Sequence, residues 1–82
     1  MNKYKLNELY IEKFFGSPRG ILKVVRAKDG DKDPIGEVVH IFAGATMPCK
    51  VSEHICFEWD DDIGYAYIKI TAKQYKELRR DQ

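Results

Sequence analysis

Few residues in this chain have the types and spacing that chemistry requires, and the first group is Asp29-Gly30-Asp31-Lys32-Asp33-Pro34-Ile35-Gly36-Glu37. Its carboxylates fall at alternate positions, as in a calcium loop. A helix-loop-helix calcium site also needs Gly at the sixth loop position, for a sharp turn, and a bidentate Glu at the twelfth. Counting from Asp29, those places hold Pro34 and His40. The stretch therefore reads as a solvated turn rich in Asp, Gly and Pro, with strands on either side.

The second group is His40, Cys49, His54 and Cys56, all of zinc-ligand type. Structural zinc sites draw pairs of ligands from short Cys–Cys or His–His spacings. The gaps here are nine, five and two residues, and none gives such a pair, although His54 and Cys56 would share one strand face. No metal or cofactor is expected. Nucleophilic catalysis needs Cys or Ser beside His and an orienting acid. No strained elbow or oxyanion-type glycine loop accompanies those residue types. Gly16-Ser17-Pro18-Arg19-Gly20 lacks the Lys-Ser/Thr ending of a phosphate-binding loop. The chain reads as a non-enzyme.

The third group concerns partners. Residues 1–28 carry seven Lys/Arg against two Glu, residues 29–62 two Lys against nine acids, and residues 63–82 five Lys/Arg against two acids. The acidic middle contains Glu58-Trp59-Asp60-Asp61-Asp62, a large aromatic among carboxylates that would steer a basic partner. Such a row of carboxylates also imitates phosphates. The candidate partner-binding residues are Glu58, Asp60, Asp61, Asp62, Tyr65 and Tyr67, with Asp29, Asp31 and Asp33 in the earlier loop. The competing reading is a single-stranded nucleic-acid binder. It would stack bases on Tyr65 and Tyr67, with Lys69, Lys73, Lys76, Arg79 and Arg80 neutralising phosphates.

These residues must be positioned by a small set of elements. Residues 6–15 read as a short helix, with Lys5, Glu8 and Glu12 in one arc, Asn7 as cap and Gly16 and Pro18 as stop signals. Ile21–Ala27 and Ile35–Ala43 are β-branched and read as strands, with Gly44–Pro48 a loop. His54–Asp60 and Tyr65–Thr71 pair most naturally as a hairpin: Ile55 then faces Ile70, Phe57 faces Ile68 and Trp59 faces Ala66, all on one side. That register turns Tyr65, Tyr67 and Lys69 outward. Thr71-Ala72-Lys73-Gln74 matches a capping box, predicting a helix through about Arg80. The fold class is α+β, a four-stranded mostly antiparallel sheet with a short helix at each end (α-β-β-β-β-α), in one domain over residues 1–82.

The chain has 82 residues, 44% hydrophobic and 33% charged, with a net charge of +1. These proportions suit a globular domain and no membrane span. Two cysteines and no signal-type N-terminus predict a reducing cytoplasm. In length and in lack of motifs the chain resembles the short stand-alone accessory proteins of phages and mobile elements. Anti-CRISPR proteins are among these, and many of them bind and block a host protein. The resemblance implies a protein-binding inhibitor acting through an acidic surface. The alternatives are the nucleic-acid binder and a small metal-binding domain.

Overall fold

Phe15 and Gly16 decide how the N-terminal third folds. Both have positive φ, 50° and 80°, the pair of values that a type I′ turn requires of its two central residues. The residues before them therefore reverse direction as a hairpin, not as a helix. The computed structural model describes residues 4–27, 30, 33–47, 49–57 and 64–80. Its elements are β1 (Leu9–Phe14), β2 (Ser17–Arg26), β3 (Ile35–Ile41), β4 (His54–Cys56), β5 (Tyr65–Ile70) and α1 (Ala72–Arg80). The class is α+β, with one antiparallel sheet ordered β4-β3-β2-β1-β5.

Two expectations are corrected here. Residues 6–15 hold β1 instead of a helix, which makes five strands and a single, C-terminal helix among the described residues. β1 lies between two strands and is covered on both faces. Leu9 and Ile11 on one side and Tyr10 and Phe14 on the other are all apolar, so strand alternation is blurred. Among the described residues, the hairpin expected of His54–Asp60 with Tyr65–Thr71 is not formed either. β4 pairs with β3 (Glu37 opposite His54) and β5 with β1 (Leu9 opposite Ile70), at opposite ends of the strand order. Residues 58–60 of that expected strand lie outside the described residues.

The sheet is rolled, so its two end strands approach each other. Phe57, just past β4, has its ring 5.1 Å from that of Tyr67 on β5, and Tyr4 stacks on Phe57 at 4.4 Å. These three rings close a core with Tyr10, Leu22, Val24 and Val38, every member under 9% exposed. Gly36 is required beneath Phe57: a Cβ there would lie 2.8 Å from the ring. Each of these aromatics buries a large apolar area, which matters in a domain with so small a core.

The outer face is covered by α1. Ile70 and Ile21, at 7% and 0% exposure, lie on this side, and Ile11, Ile70 and Leu78 line a shallow cleft along the helix. The expected capping box forms at its start. Thr71 Oγ1 accepts from the Gln74 N–H at 3.1 Å, and Gln74 Oε1 accepts from the Thr71 N–H at 2.8 Å. Each satisfies an amide that the first helical turn would leave without a partner.

Candidate functional site

The site assembles at the turn between β1 and β2. Glu12 pairs with Gly20 and Lys13 with Pro18, so Arg19 is an extra residue on β2. Such a bulge re-aims one side chain, and here it turns Arg19 onto the core face beside Glu12. Glu12 is 1% exposed. Arg19 donates to its Oε1 from Nε at 2.8 Å and from Nη2 at 2.5 Å. A carboxylate buried this deeply needs such a cation.

Arg19 also organises its surroundings. Its guanidinium lies 4.9 Å from the Phe14 ring centroid and 5.7 Å from that of Tyr65, within cation–π range. Nη1 donates to the carbonyl of Thr46 at 3.3 Å, tying in the loop after β3. Between that loop and the turn runs an open groove of about 550 Å³, bordered by Phe14, Phe15, Pro18, Arg19 and Thr46. Its one cation is already matched by Glu12, so the groove offers aromatic and apolar surface more than net charge.

Phe15 stands at the rim, 67% exposed. A bulky residue with positive φ is a conformational outlier, and strain of this kind collects at functional positions. Phe15 is fixed there by a hydrogen bond from its N–H to the carbonyl of Gly64 at 2.7 Å, and its ring meets that of Phe14 at 4.5 Å. A Cβ at Gly64 would come within 3.0 Å of both phenylalanine rings, so only glycine lets the chain pass.

The residues expected to bind a partner fall into three groups. Glu58, Asp60, Asp61 and Asp62 lie outside the described residues, as do Trp59, Asp29 and Asp31. Asp33 is exposed, and its carbonyl accepts from Arg26 Nε and Nη2 at 3.2 and 2.7 Å. Tyr65 and Tyr67 face the core, contrary to the outward placement expected of them: Tyr67 is 7% exposed and Tyr65 packs half-buried against Phe14. The reason is that β5 pairs with β1, which puts Tyr67 opposite Glu12 and Tyr65 opposite Phe14 on the inner face. Ile68, assigned to the apolar side, is 44% exposed on the other. The base-stacking platform is thereby removed, while Lys73, Lys76, Arg79 and Arg80 remain exposed on α1.

Described residues that flank the two acidic segments in the sequence do meet. The Phe57 N–H donates to the Pro34 carbonyl at 3.2 Å, so the chain enters residues 58–63 beside the end of the Asp29–Asp33 loop. It leaves them at Gly64, against Phe15. The zinc-type residues, in contrast, are not gathered: among the described residues there is no group of three or more that could hold a metal ion. His40 Nε2 is buried without a hydrogen-bond partner near the Phe42 ring, Cys49 is half-buried against the core, and His54 and Cys56 are exposed on β4.

A second ionic cluster holds the other end of β1. Glu8 accepts from Lys69 Nζ at 2.6 Å, from the Lys5 N–H at 3.0 Å and from the Tyr10 hydroxyl at 3.0 Å. The Lys69 bond, followed by that from Lys5, holds the Glu8 carboxyl down at about 2. Burial, reinforced by the Glu8 bond, pushes the Tyr10 phenol up to about 12, and burial also raises Tyr4. These groups fasten β1 to β5 and to the segment that precedes β1.

Sequence reasoning missed Phe15, Glu12 and Arg19. A signal for Phe15 was present in Phe-Gly followed by Ser-Pro, a two-residue turn between apolar runs. Nothing local marks Glu12 as buried, because its partner reaches it only through the bulge. No helix among the described residues is long and apolar enough to cross a membrane. Comparison with protein-family models, with curated proteins and with solved structures finds no match for this chain.

Proposed function

We propose that the protein is a protein-binding module, with Phe15 as its apolar anchor and the acids of residues 58–62 as a steering rim for a basic partner. The observation that carries this reading is the hydrogen bond from Phe15 to Gly64. It fixes an exposed, strained aromatic at the exit of the most acidic segment, where Asp62 is only two residues from Gly64 in the chain. Exposed aromatics in such settings are typical interface anchors, and nearby carboxylates raise the association rate with cationic surfaces. A module of this kind acts by occupying its partner's surface, which is how a small inhibitor works. The absence of catalytic spacing in the sequence supports the same reading.

The test is affinity purification with immobilised protein, comparing wild type, Phe15→Ala and the triple variant Asp60→Asn, Asp61→Asn, Asp62→Asn. A partner recovered by wild type should be lost at least about tenfold with Phe15→Ala, the loss of a typical hot spot. The triple variant should bind more weakly and with less dependence on salt. Equal recovery by all three proteins would refute the reading.

A further inference from the structure

The helix α1 carries a charge pattern that partner binding through Phe15 does not use. Lys73, Lys76, Arg79 and Arg80 are all exposed, and Glu77 is the one acid of the helix. Among the described residues none of these four cations forms an ion pair; the basic side chains that do are Arg19 and Lys69. At about 100° per residue, Lys73, Lys76 and Arg80 fall within about 60° of one another around the helix axis. They lie on the side opposite Tyr75 and Leu78, the half-buried residues that face the sheet. Arg79 stands at the margin of this arc, its guanidinium 5.3 Å from the Tyr75 ring centroid. Lys76, Arg79 and Arg80 border an open concavity of about 380 Å³.

Helix stability does not account for the arc. Arg79 and Arg80 suit the dipole at the end of α1, but Lys73 stands in a first turn that holds no acid, where a cation is disfavoured. Lys73 with Lys76 and Lys76 with Arg80 are like-charge pairs at helical spacing, which weaken a helix. A polyanion laid against the arc would relieve both costs.

The surroundings select among polyanions. An anionic membrane calls for large apolar residues beside the cations, and Ala72 is the only apolar residue on this half of α1. A single strand calls for exposed aromatic platforms, whereas Tyr75 is half-buried and Tyr65 and Tyr67 face the core. Duplex DNA requires neither. From Lys73 to Arg80 the helix advances about 10 Å, a length over which a duplex presents about six phosphates, three on each strand. A helix about 10–12 Å across also matches the B-DNA major groove, about 12 Å wide. The major groove of duplex RNA is deep and narrow.

We infer that α1 is a docking surface for double-stranded DNA, with Lys73, Lys76 and Arg80 contacting its phosphates. Contacts of this type fix position without reading bases. α1 follows β5 at Ile70, while Phe15 is bonded to Gly64 before the other end of that strand. The inference therefore stands apart from the partner-binding reading.

The experiment is fluorescence anisotropy of a labelled random-sequence DNA duplex titrated with the protein at several salt concentrations. Three neutralised phosphates predict a slope of about −2.7 in log K against log salt, a loss of about fortyfold between about 50 and about 200 mM. Lys73→Gln, Lys76→Gln and Arg80→Gln should each reduce the slope by about one. The triple variant should lose at least about tenfold in affinity at the lowest salt. Glu77→Gln, which removes the acid beside the arc, should strengthen binding, and Phe15→Ala should bind as wild type does. All the helix positions are exposed, so an unaltered circular dichroism spectrum identifies variants that are folded. No binding at the lowest salt overturns the inference, as does affinity that survives the triple substitution. So does binding of phosphatidylserine vesicles, single-stranded DNA or an RNA duplex as tight as that of the DNA duplex.

Discussion

Replacing Arg19 by Met tests how the candidate site is held together. Glu12 is 1% exposed, and the guanidinium of Arg19 is the cation bonded to it, through Nε and Nη2. Met keeps much of the length of the apolar stem, so the change removes the charge and its hydrogen bonds more than volume. Leaving one member of a buried ion pair alone costs about 3–5 kcal/mol, and losing the cation–π contact adds up to about 1 kcal/mol. A domain of this size has a total stability of about 5–15 kcal/mol, so Arg19→Met should forfeit a large share of it. At about 4–8 °C per kcal/mol for a small domain, Tm should fall by roughly 12–48 °C. The companion variant is Arg19→Met with Glu12→Leu, which removes both charges. Apolar replacement of a whole buried pair is often neutral, so the double variant should lie within about 2 kcal/mol of wild type. Urea unfolding at neutral pH, followed by circular dichroism, gives both values and the coupling between the sites. If Arg19→Met costs less than about 1 kcal/mol, or if the double variant is less stable than Arg19→Met alone, the account of Glu12 as a charge that depends on Arg19 is wrong.

Three other predictions concern the frame around the site. The Glu8 carboxyl, held at about 2 by Lys69 and Lys5, lies below its ordinary value of 4.5. A carboxylate depressed on folding stabilises above its unfolded pKa, and that contribution is lost as pH falls through the folded value. The Tm difference between wild type and Glu8→Gln should thus be present near neutrality and shrink between about pH 4.5 and about pH 2, with high salt reducing it throughout. Thr71→Ala removes the capping oxygen of α1 and should cost about 1 kcal/mol, read as a lower Tm with the strand signal unchanged. Gly36→Ala would place a methyl 2.8 Å from a Phe57 ring already fixed by Tyr4 and Tyr67. Overpacking of that kind should cost about 1–3 kcal/mol in urea unfolding, and an unchanged midpoint would show that the ring yields.

What the sequence reveals depends on how locally each feature is determined. The capping box was legible because Thr71 and Gln74 satisfy each other within one turn. β2 and β3 were legible because β-branched runs bounded by Gly, Asp and Pro state their own conformation. β1 was not, since apolar side chains stand on both of its faces and its one polar core residue, Glu12, breaks the alternation that marks a strand. The false hairpin failed for a related reason. Phe57 and Tyr67 do come together, but as rings across a rolled sheet and not as neighbours on a ladder. Apolar patterns alone could not separate those two kinds of contact. The acids at Glu58–Asp62 were visible as composition, whereas Phe15 acquires its place only from the turn and from Gly64.

The pairing of β1 with β5 also governs how the chain reaches this state. Leu9 meets Ile70, and Phe14 meets Tyr65, so the first strand acquires its second neighbour from near the far end of the chain. Until that loop closes, the outward amides of Leu9, Ile11 and Lys13 have only water. Long-range closure of this sort carries an entropy cost before any contact repays it, and it slows folding relative to a helical protein of equal length. The β1–β2–β3 meander can form early from local turns, while β5 and α1 dock last. Unfolding should begin at the same seam, making the β1–β5 boundary the first to admit solvent.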